Sequence, residues 1–267
     1  MTIPDDMTEI TVRSSFDGSD EPSLLYLPPK KKDRVKIPLV TGLHTWSADR
    51  FNQVTKMLPF VQKLGWALLL PEFRGPNLDT NPRGKDACGS PAAKQDIVDA
   101  VQYTIRTYAG LIDEKNLFVL GGSGGGHMCC LMAGYVPALW RSVSAWCPIT
   151  DVDRWHGENP HYARHIEWCC GGSPGNSAEA AKEAAGRSPV SYTDEISKAE
   201  LHIHHGKWDQ SVPFMHSYDL YTLVQTTHPL ARVYLDIFDG GHDLYYNRAF
   251  EEFEKIVSRI DTAPLTG

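Results

Sequence analysis

No apolar run in this sequence has the length that crosses a bilayer, and the opening MTIPDDMTEI lacks the charged and apolar regions of a signal peptide. The expectation is a soluble chain, cytoplasmic as it stands, or secreted or periplasmic if a leader has been removed. There is no C-x-x-C pair. The six cysteines include two adjacent pairs, Cys129-Cys130 and Cys169-Cys170, which suit neither a disulfide framework nor a zinc site. They read as mostly reduced and buried, with a bridge involving Cys88 or Cys147 left open. Basic charge is not in excess either. The formal net charge is -7 with both signs spread along the chain, which argues against nucleic acid or a membrane surface as partner. The one basic run, Lys30-Lys31-Lys32, reads as a solvated turn. There is no internal repeat and no low-complexity segment, and 267 residues suit a single domain, 1–267, with a sizeable core.

What is present is an alternation of strand-like and helix-like segments. Glu9 to Val12 and Leu24 to Leu27 are short β-like runs about the turn Asp17-Gly18, an expected antiparallel pair. Val35 to Leu43 reads as a strand. Phe51, Val54, Met57, Leu58 and Val61 then recur at helical spacing, and Gly65 closes that helix. Trp66 to Leu70 is a strand, and Pro91 opens a helix whose face is Ile97, Val98, Val101 and Ile105. Leu117 to Leu120 is the central strand, Ser142 to Trp146 the next. Residues 151–192 break the rhythm and read as an insertion over the carboxyl edge of the sheet, with one small helix at Ala178 to Ala185. Strand Leu201 to His205, helix Phe214 to Val224, strand Val233 to Phe238 and helix Tyr245 to Ile260 complete the chain. The pattern predicts a mostly parallel sheet with helices on both faces.

The central strand runs into Gly121-Gly122-Ser123-Gly124-Gly125, which fits G-x-S-x-G, a sharp strand-to-helix turn that exposes a nucleophilic serine. A plain glycine turn is the bland alternative. A P-loop is excluded because no Gly-Lys-Ser/Thr follows, and a dinucleotide fingerprint starting at Gly122 would put His127 where its last glycine belongs. Two partners follow at strand ends, where such sheets gather catalytic groups: Asp209 after Leu201 to His205, and His242 after Val233 to Phe238. A serine hydroxyl is a weak nucleophile until a histidine takes its proton, and the histidine needs a carboxylate to hold its tautomer. Asp209 could instead cap a helix, and Asp239 or Asp243 could be the partner of His242. For the oxyanion, the Gly124 backbone N–H is the first donor, at a helix N-terminus. The second is expected from the loop after Leu43, His44-Thr45-Trp46, at the Trp46 backbone or else at Thr45; Trp46 as a simple wall residue stays open.

The order Ser123, Asp209, His242 is that of α/β-hydrolases. From about Pro38 onward the chain resembles the prolyl-oligopeptidase-like, or dipeptidyl-peptidase-like, branch of that superfamily. The resemblance rests on Pro71-Glu72-Phe73-Arg74-Gly75, on Gly121 to Gly125 with His127, on Lys207-Trp208-Asp209-Gln210-Ser211-Val212-Pro213, and on Gly241-His242. It implies an α/β-hydrolase fold with an antiparallel N-terminal strand pair and no cofactor. Only about 36 residues precede the third strand, too few for the family's β-propeller, and paired glutamates that grip a peptide N-terminus are not evident. The expectation is therefore a stand-alone carboxylesterase of acetyl or carbohydrate esterase type, cleaving a small-molecule ester, with sugar esters favoured by the Trp and His content of the loops. A serine aminopeptidase or amidase with the same machinery, and an inactive hydrolase-fold binding protein, are the alternatives.

Substrate-pocket candidates are His44, Thr45, Trp155, Trp168 and Trp208; Trp155, Tyr162 and Trp168 could equally pack the insertion onto the sheet. His202, His204 and His205, and the pair His161 and His165 at i,i+4 on a possible helix, carry metal-ligand residue types without a second shell or the acid of H-E-x-x-H, so no metal is expected. The acyl group, the alcohol and the oligomeric state are not legible.

Overall fold

The structure, a computed structural model, describes residues 2–29 and 35–261; the Lys30-Lys31-Lys32 run lies outside them. Its strands are β1 (Met7–Arg13), β2 (Asp20–Tyr26), β3 (Ile37–Leu43), β4 (Ala67–Pro71), β5 (Ile112–Gly122), β6 (Ser142–Trp146), β7 (Leu201–Gly206) and β8 (Val233–Phe238). They form one eight-stranded sheet in the order β1-β2-β4-β3-β5-β6-β7-β8. β1 and β2 pair antiparallel, β2 pairs antiparallel with β4, and every later pairing is parallel. This is the expected α/β-hydrolase architecture.

The helices are α1 (Val54–Leu64), α2 (Pro91–Thr107), α3 (Gly124–Tyr135), α4 (Val152–Glu158), α5 (Pro160–Cys170), α6 (Ala178–Gly186), α7 (Thr193–Ile196), α8 (Met215–Thr227) and α9 (Tyr246–Asp261). Their ends follow local chemistry. Gly65 closes α1 at φ 71°, and the Ser90 hydroxyl accepts from Ala93 N at 3.1 Å to cap α2, with Pro91 behind it. Among the described residues no helix is long and apolar enough to cross a membrane.

Alternation along β5 divides the core. Leu117 and Val119 face α2, α3 and α8; Phe118 and Leu120 face α1 and α9. Phe118 stacks between Trp66 at 5.9 Å and Phe253 at 4.4 Å between ring centroids. Truncating it to alanine would cost about 3–5 kcal/mol.

The insertion after β6 is more helical than its sequence suggests. Asp151 caps α4 by accepting from Arg154 N at 3.1 Å. Pro160 opens α5, and Gly171 ends it in the left-handed region at φ 77°. Aromatic side chains take the place of an aliphatic stripe: Trp155 stacks on Tyr162 at 4.7 Å and meets Trp46 edge-on at 4.8 Å, within a third apolar cluster built on Ile149, Val152, Ile166 and Val212. That cluster seats the insertion against the loops at the carboxyl ends of the strands.

Candidate active site

Ser123 sits between β5 and α3 with φ 57° and ψ −121°, a left-handed backbone on a non-glycine residue. Such a conformation costs on the order of 1–3 kcal/mol and persists only where its surroundings enforce it. Here they do. A Cβ on Gly121 would lie 2.6 Å from the carbonyl of Gly125, and one on Gly124 would lie 2.4 Å from the backbone N of Trp46. Ser123 N–H donates to Trp146 O at 2.8 Å, tying the turn to β6. The side chain is half-buried, and among the described residues its hydroxyl makes no hydrogen bond.

The loop after β8 brings His242 toward this turn. Beyond it, the Cys147 thiol donates to Asp243 O at 3.6 Å, and the Leu244 side chain reaches within 2.5 Å of where a Cβ on Gly122 would be. The loop thus crosses β7 and β6 and arrives beside the residue preceding Ser123. His242 is partly exposed and donates from Nδ1 to Asp209 Oδ2 at 2.6 Å, while the Asp209 side chain is wholly buried. That bond leaves Nε2 as the free ring nitrogen.

Asp209 is held by more than His242. Its Oδ1 accepts from the backbone N–H groups of Ser211 at 2.8 Å and Val212 at 2.9 Å. Burial opposes its ionisation, but the His205 and His242 imidazoles and the Val212 N–H outweigh burial and hold the carboxyl well below the ordinary carboxylate range. The other acids near His242 are engaged elsewhere. Asp239 accepts from Trp208 Nε1 at 2.7 Å, and Asp243 accepts from Gly241 N at 2.9 Å.

At the opposite side of Ser123, the Trp46 backbone lies against Gly124. Among the described residues neither the Gly124 nor the Trp46 N–H donates to a protein acceptor. Thr45 N–H, by contrast, is engaged by Asn52 Oδ1 at 3.3 Å. The two unengaged amides flank the turn and are available to an oxygen that becomes negatively charged.

The remaining pocket candidates fall in different places. His44 is buried, stacked on Phe73 at 3.9 Å, with its ring nitrogens on the carbonyls of Thr45 and Glu72. Trp155 is buried and donates from Nε1 to Ser211 O at 2.9 Å; it supports the Asp209 loop from below. Trp168 is exposed on one face, packs on Gly84 and donates to Asn81 O at 2.8 Å, which pins α5 to the loop after β4. Trp208 is exposed next to Asp209, with Lys207 Nζ 4.8 Å from its ring centre.

Of the histidine clusters, His161 and His165 share α5, and His165 lies 3.6 Å from Asp79. His202 lies against Glu200, which precedes β7, and Glu252 of α9, and His204 lies against Asp236 of β8 and the same Glu252. Among the described residues the group whose ligand atoms come within 4.8 Å of one another is Cys147, His205 and Asp209. Each of these three already has protein partners, and burial pushes the Cys147 thiol well above its ordinary value, which disfavours the thiolate a metal needs. The sequence reading weighed His205 only as one of three strand histidines of metal-ligand type and gave Ser217 no role; the one signal for another role was His205-Gly206 just ahead of Asp209.

The model of the prolyl oligopeptidase family matches residues 84–258, more than half of the chain and inclusive of Ser123, Asp209 and His242. The chain belongs to the prolyl oligopeptidase family. It is 25% identical to the acylamino-acid-releasing enzyme of Homo sapiens over 233 residues, covering 82% of this chain and 30% of that protein. The corresponding enzyme of Rattus norvegicus is 24% identical over 229 residues, 81% of this chain and 30% of the other. The chain thus spans about a third of the length of these curated relatives. Among solved structures, the acylaminoacyl peptidase of Pyrococcus horikoshii superposes with a TM-score of 0.69 at 15% identity, over 96% of this chain and 41% of that one. A puromycin hydrolase superposes with a TM-score of 0.76 at 15% identity, over 98% and 40%. At that identity the likeness establishes the fold.

Membership in this family, with relatives so named, overturns the expectation of a carboxylic-ester hydrolase for acetyl, feruloyl or sugar-linked esters. The names these relatives carry are acylamino-acid-releasing enzyme, acylaminoacyl peptidase and puromycin hydrolase, and none is that of an esterase. The esterase expectation rested on how few residues precede β3 and on paired glutamates not being evident, and both are silent about which bond is cleaved: the elbow, the acid and the histidine are the same for an ester as for an amide.

Proposed function

We propose that this prolyl oligopeptidase family member is a serine peptidase that cleaves amide bonds near the amino end of short peptides, including N-acylated ones. The observation that carries the proposal is the 2.6 Å bond from His242 Nδ1 to Asp209 Oδ2, on the same sheet edge as a strained Ser123. In this reading Ser123 Oγ attacks the carbonyl carbon and His242 Nε2 takes its proton. Asp209 keeps the imidazole in the Nδ1–H tautomer and stabilises the imidazolium. The carbonyl oxygen, now negative, is held by the Gly124 and Trp46 amides, which point at it without having to reorganise. Collapse breaks the C–N bond as His242 returns the proton to the leaving amine, and water releases the acyl group by the same steps. Serine–histidine contacts are often long without substrate and tighten in the complex.

The test is hydrolysis of N-acetyl-alanyl p-nitroanilide and of alanyl p-nitroanilide, each with wild type and Ser123→Ala. Release of nitroaniline by wild type and none by the variant supports the reading, and the ratio of the two substrates tells whether a blocked or a free amino end is preferred. Release that persists in Ser123→Ala would remove the serine from the reaction.

A further inference from the structure

Behind Asp209 lies a second histidine that the mechanism above does not use. His205, at the end of β7, is completely buried. Its Nε2 faces two oxygens, Val212 O at 2.8 Å and Asp209 Oδ2 at 3.2 Å. A carbonyl oxygen accepts only, so Nε2 bears the proton. Its Nδ1 pairs with Ser217 Oγ, 2.6 Å away on α8 and equally buried. Val212 closes the arrangement, since it takes the ring's proton at its C=O and gives its own N–H to Asp209 Oδ1 at 2.9 Å. The ring therefore meets the carboxylate directly at one oxygen and, through one residue's backbone, at the other.

From this geometry we infer that His205 is a positioning residue for the proposed reaction: oriented by Ser217, it sets the rotation of the Asp209 carboxylate so that Oδ2 meets His242. The inference rests on the function proposed above and adds a fourth side chain to it. A carboxylate about its Cβ–Cγ bond is a broad rotor, and two backbone donors on Oδ1 alone leave Oδ2 free to swing. The imidazole on the far side of Oδ2 removes that freedom, and it excludes water from a carboxylate with no exposed surface.

The substitutions that separate donors from shape are His205→Gln, whose amide nitrogen carries two N–H groups for Val212 O and Asp209 Oδ2, and His205→Leu, which carries none. Three measurements are made on each and on wild type: the rate at which a fluorophosphonate labels Ser123, kcat and KM on the acylaminoacyl nitroanilide, and the far-downfield proton resonance of the His242–Asp209 bond. His205→Leu is expected to label roughly 10- to 100-fold more slowly, by analogy with loss of the hydrogen-bond partner behind a metal-ligating side chain. The same loss should fall on kcat with KM nearly unchanged, and the downfield resonance should shift or broaden. His205→Gln should recover most of all three. If His205→Leu folds and behaves as wild type, or if His205→Gln is as impaired as His205→Leu, the inference fails. If His205→Leu does not fold, Ser217→Ala keeps the ring and removes its orienting hydroxyl; a displaced downfield resonance is then expected, and an unchanged one overturns the inference. If wild type itself is not labelled, the peptidase proposal falls, while the resonance still reports whether His205 orders the pair.

Discussion

Gly206 and Gly241 meet so closely that a Cβ on Gly206 would stand 1.9 Å from the Gly241 carbonyl oxygen. Around that contact Lys207 N–H donates to Phe238 O at 2.9 Å and Trp208 N–H donates to Gly240 O at 2.8 Å. The loop bearing Asp209 and the loop bearing His242 are therefore one clipped unit. Gly206→Ala must push them apart, because the obstructing atom is backbone and cannot turn aside. A displacement of about 1 Å in a reacting group can cost about a hundredfold in rate. We expect Gly206→Ala to lose activity by at least that much; a folded variant with wild-type kcat would show that the two loops need not touch.

The tautomer argument gives a graded pair. Ser123→Ala is expected to lower kcat by about a million-fold if the three residues act as a unit, as in the subtilisin series. Asp209→Asn preserves the size of the side chain but presents an N–H or a weaker acceptor to His242, and the protease precedent for that change is about ten-thousand-fold. Kinetics on one anilide substrate check both. An Asp209→Asn enzyme within tenfold of wild type would shift the role of acid partner elsewhere.

The amides beside the serine can be separated from their side chains. Gly124→Ala sets a methyl 2.4 Å from Trp46 N, which displaces the donor pair, whereas Trp46→Phe keeps the Trp46 N–H and loses mainly indole packing against Trp155 and Tyr162. Loss of one oxyanion donor costs about 10²–10³ in kcat. Gly124→Ala should show at least that loss in kcat, and Trp46→Phe should appear mainly in thermal stability. The reverse ranking, measured on the same substrate, would take the Trp46 amide out of the proposed site.

Much of this was legible because the relevant signals are local. Gly121 to Gly125 announce the turn whatever surrounds them, and Leu117 to Leu120 read as buried because they face apolar helices on both sides. The strand nevertheless begins at Ile112, and its polar start, Asp113-Glu114-Lys115, is half to fully exposed and gives no apolar period to detect. α5 showed only as a possible helix at His161 and His165: its buried face is His165, Ile166, Cys169 and Cys170, which is no Leu/Val stripe. Asp209 could be ranked over Asp239 and Asp243 by chain order, but only the geometry shows Asp239 on the Trp208 indole and Asp243 on Gly241 N. Thr45 and Trp46 could not be separated without knowing that Asn52 engages Thr45. His205 looked like one of three strand histidines, since period-two alternation gives a face and not a partner. The esterase expectation failed because a Ser-Asp-His set reads the same in a sequence whether an ester or an amide is cleaved.

Away from the site, His202 makes stability depend on pH. Its Nδ1 lies 2.9 Å from Glu252 and its Nε2 3.6 Å from Glu200, with the Tyr234 ring tilted against it at 4.7 Å between centroids and His204 on the same strand face. Burial disfavours the imidazolium, but the two carboxylates outweigh it and push the pKa from 6.5 up to about 9; Glu200 and Glu252 are correspondingly lowered. A group bound more tightly by its proton in the folded chain stabilises fully below its unfolded pKa and loses that contribution as pH rises through the folded one. The window therefore runs from pH 6.5 to about 9. Across it wild type should lose roughly 1–3 kcal/mol, a fall on the order of a few degrees in Tm. His202→Gln should be less stable at pH 6.5 and nearly flat over the window, so the two curves converge toward its upper end. Thermal melts at half-unit steps check this, stopping short of pH 9, where buried thiols such as Cys130, whose pKa burial also raises, begin to favour the unfolded chain. Parallel curves for the two proteins would mean that His202 is not charged in the folded state.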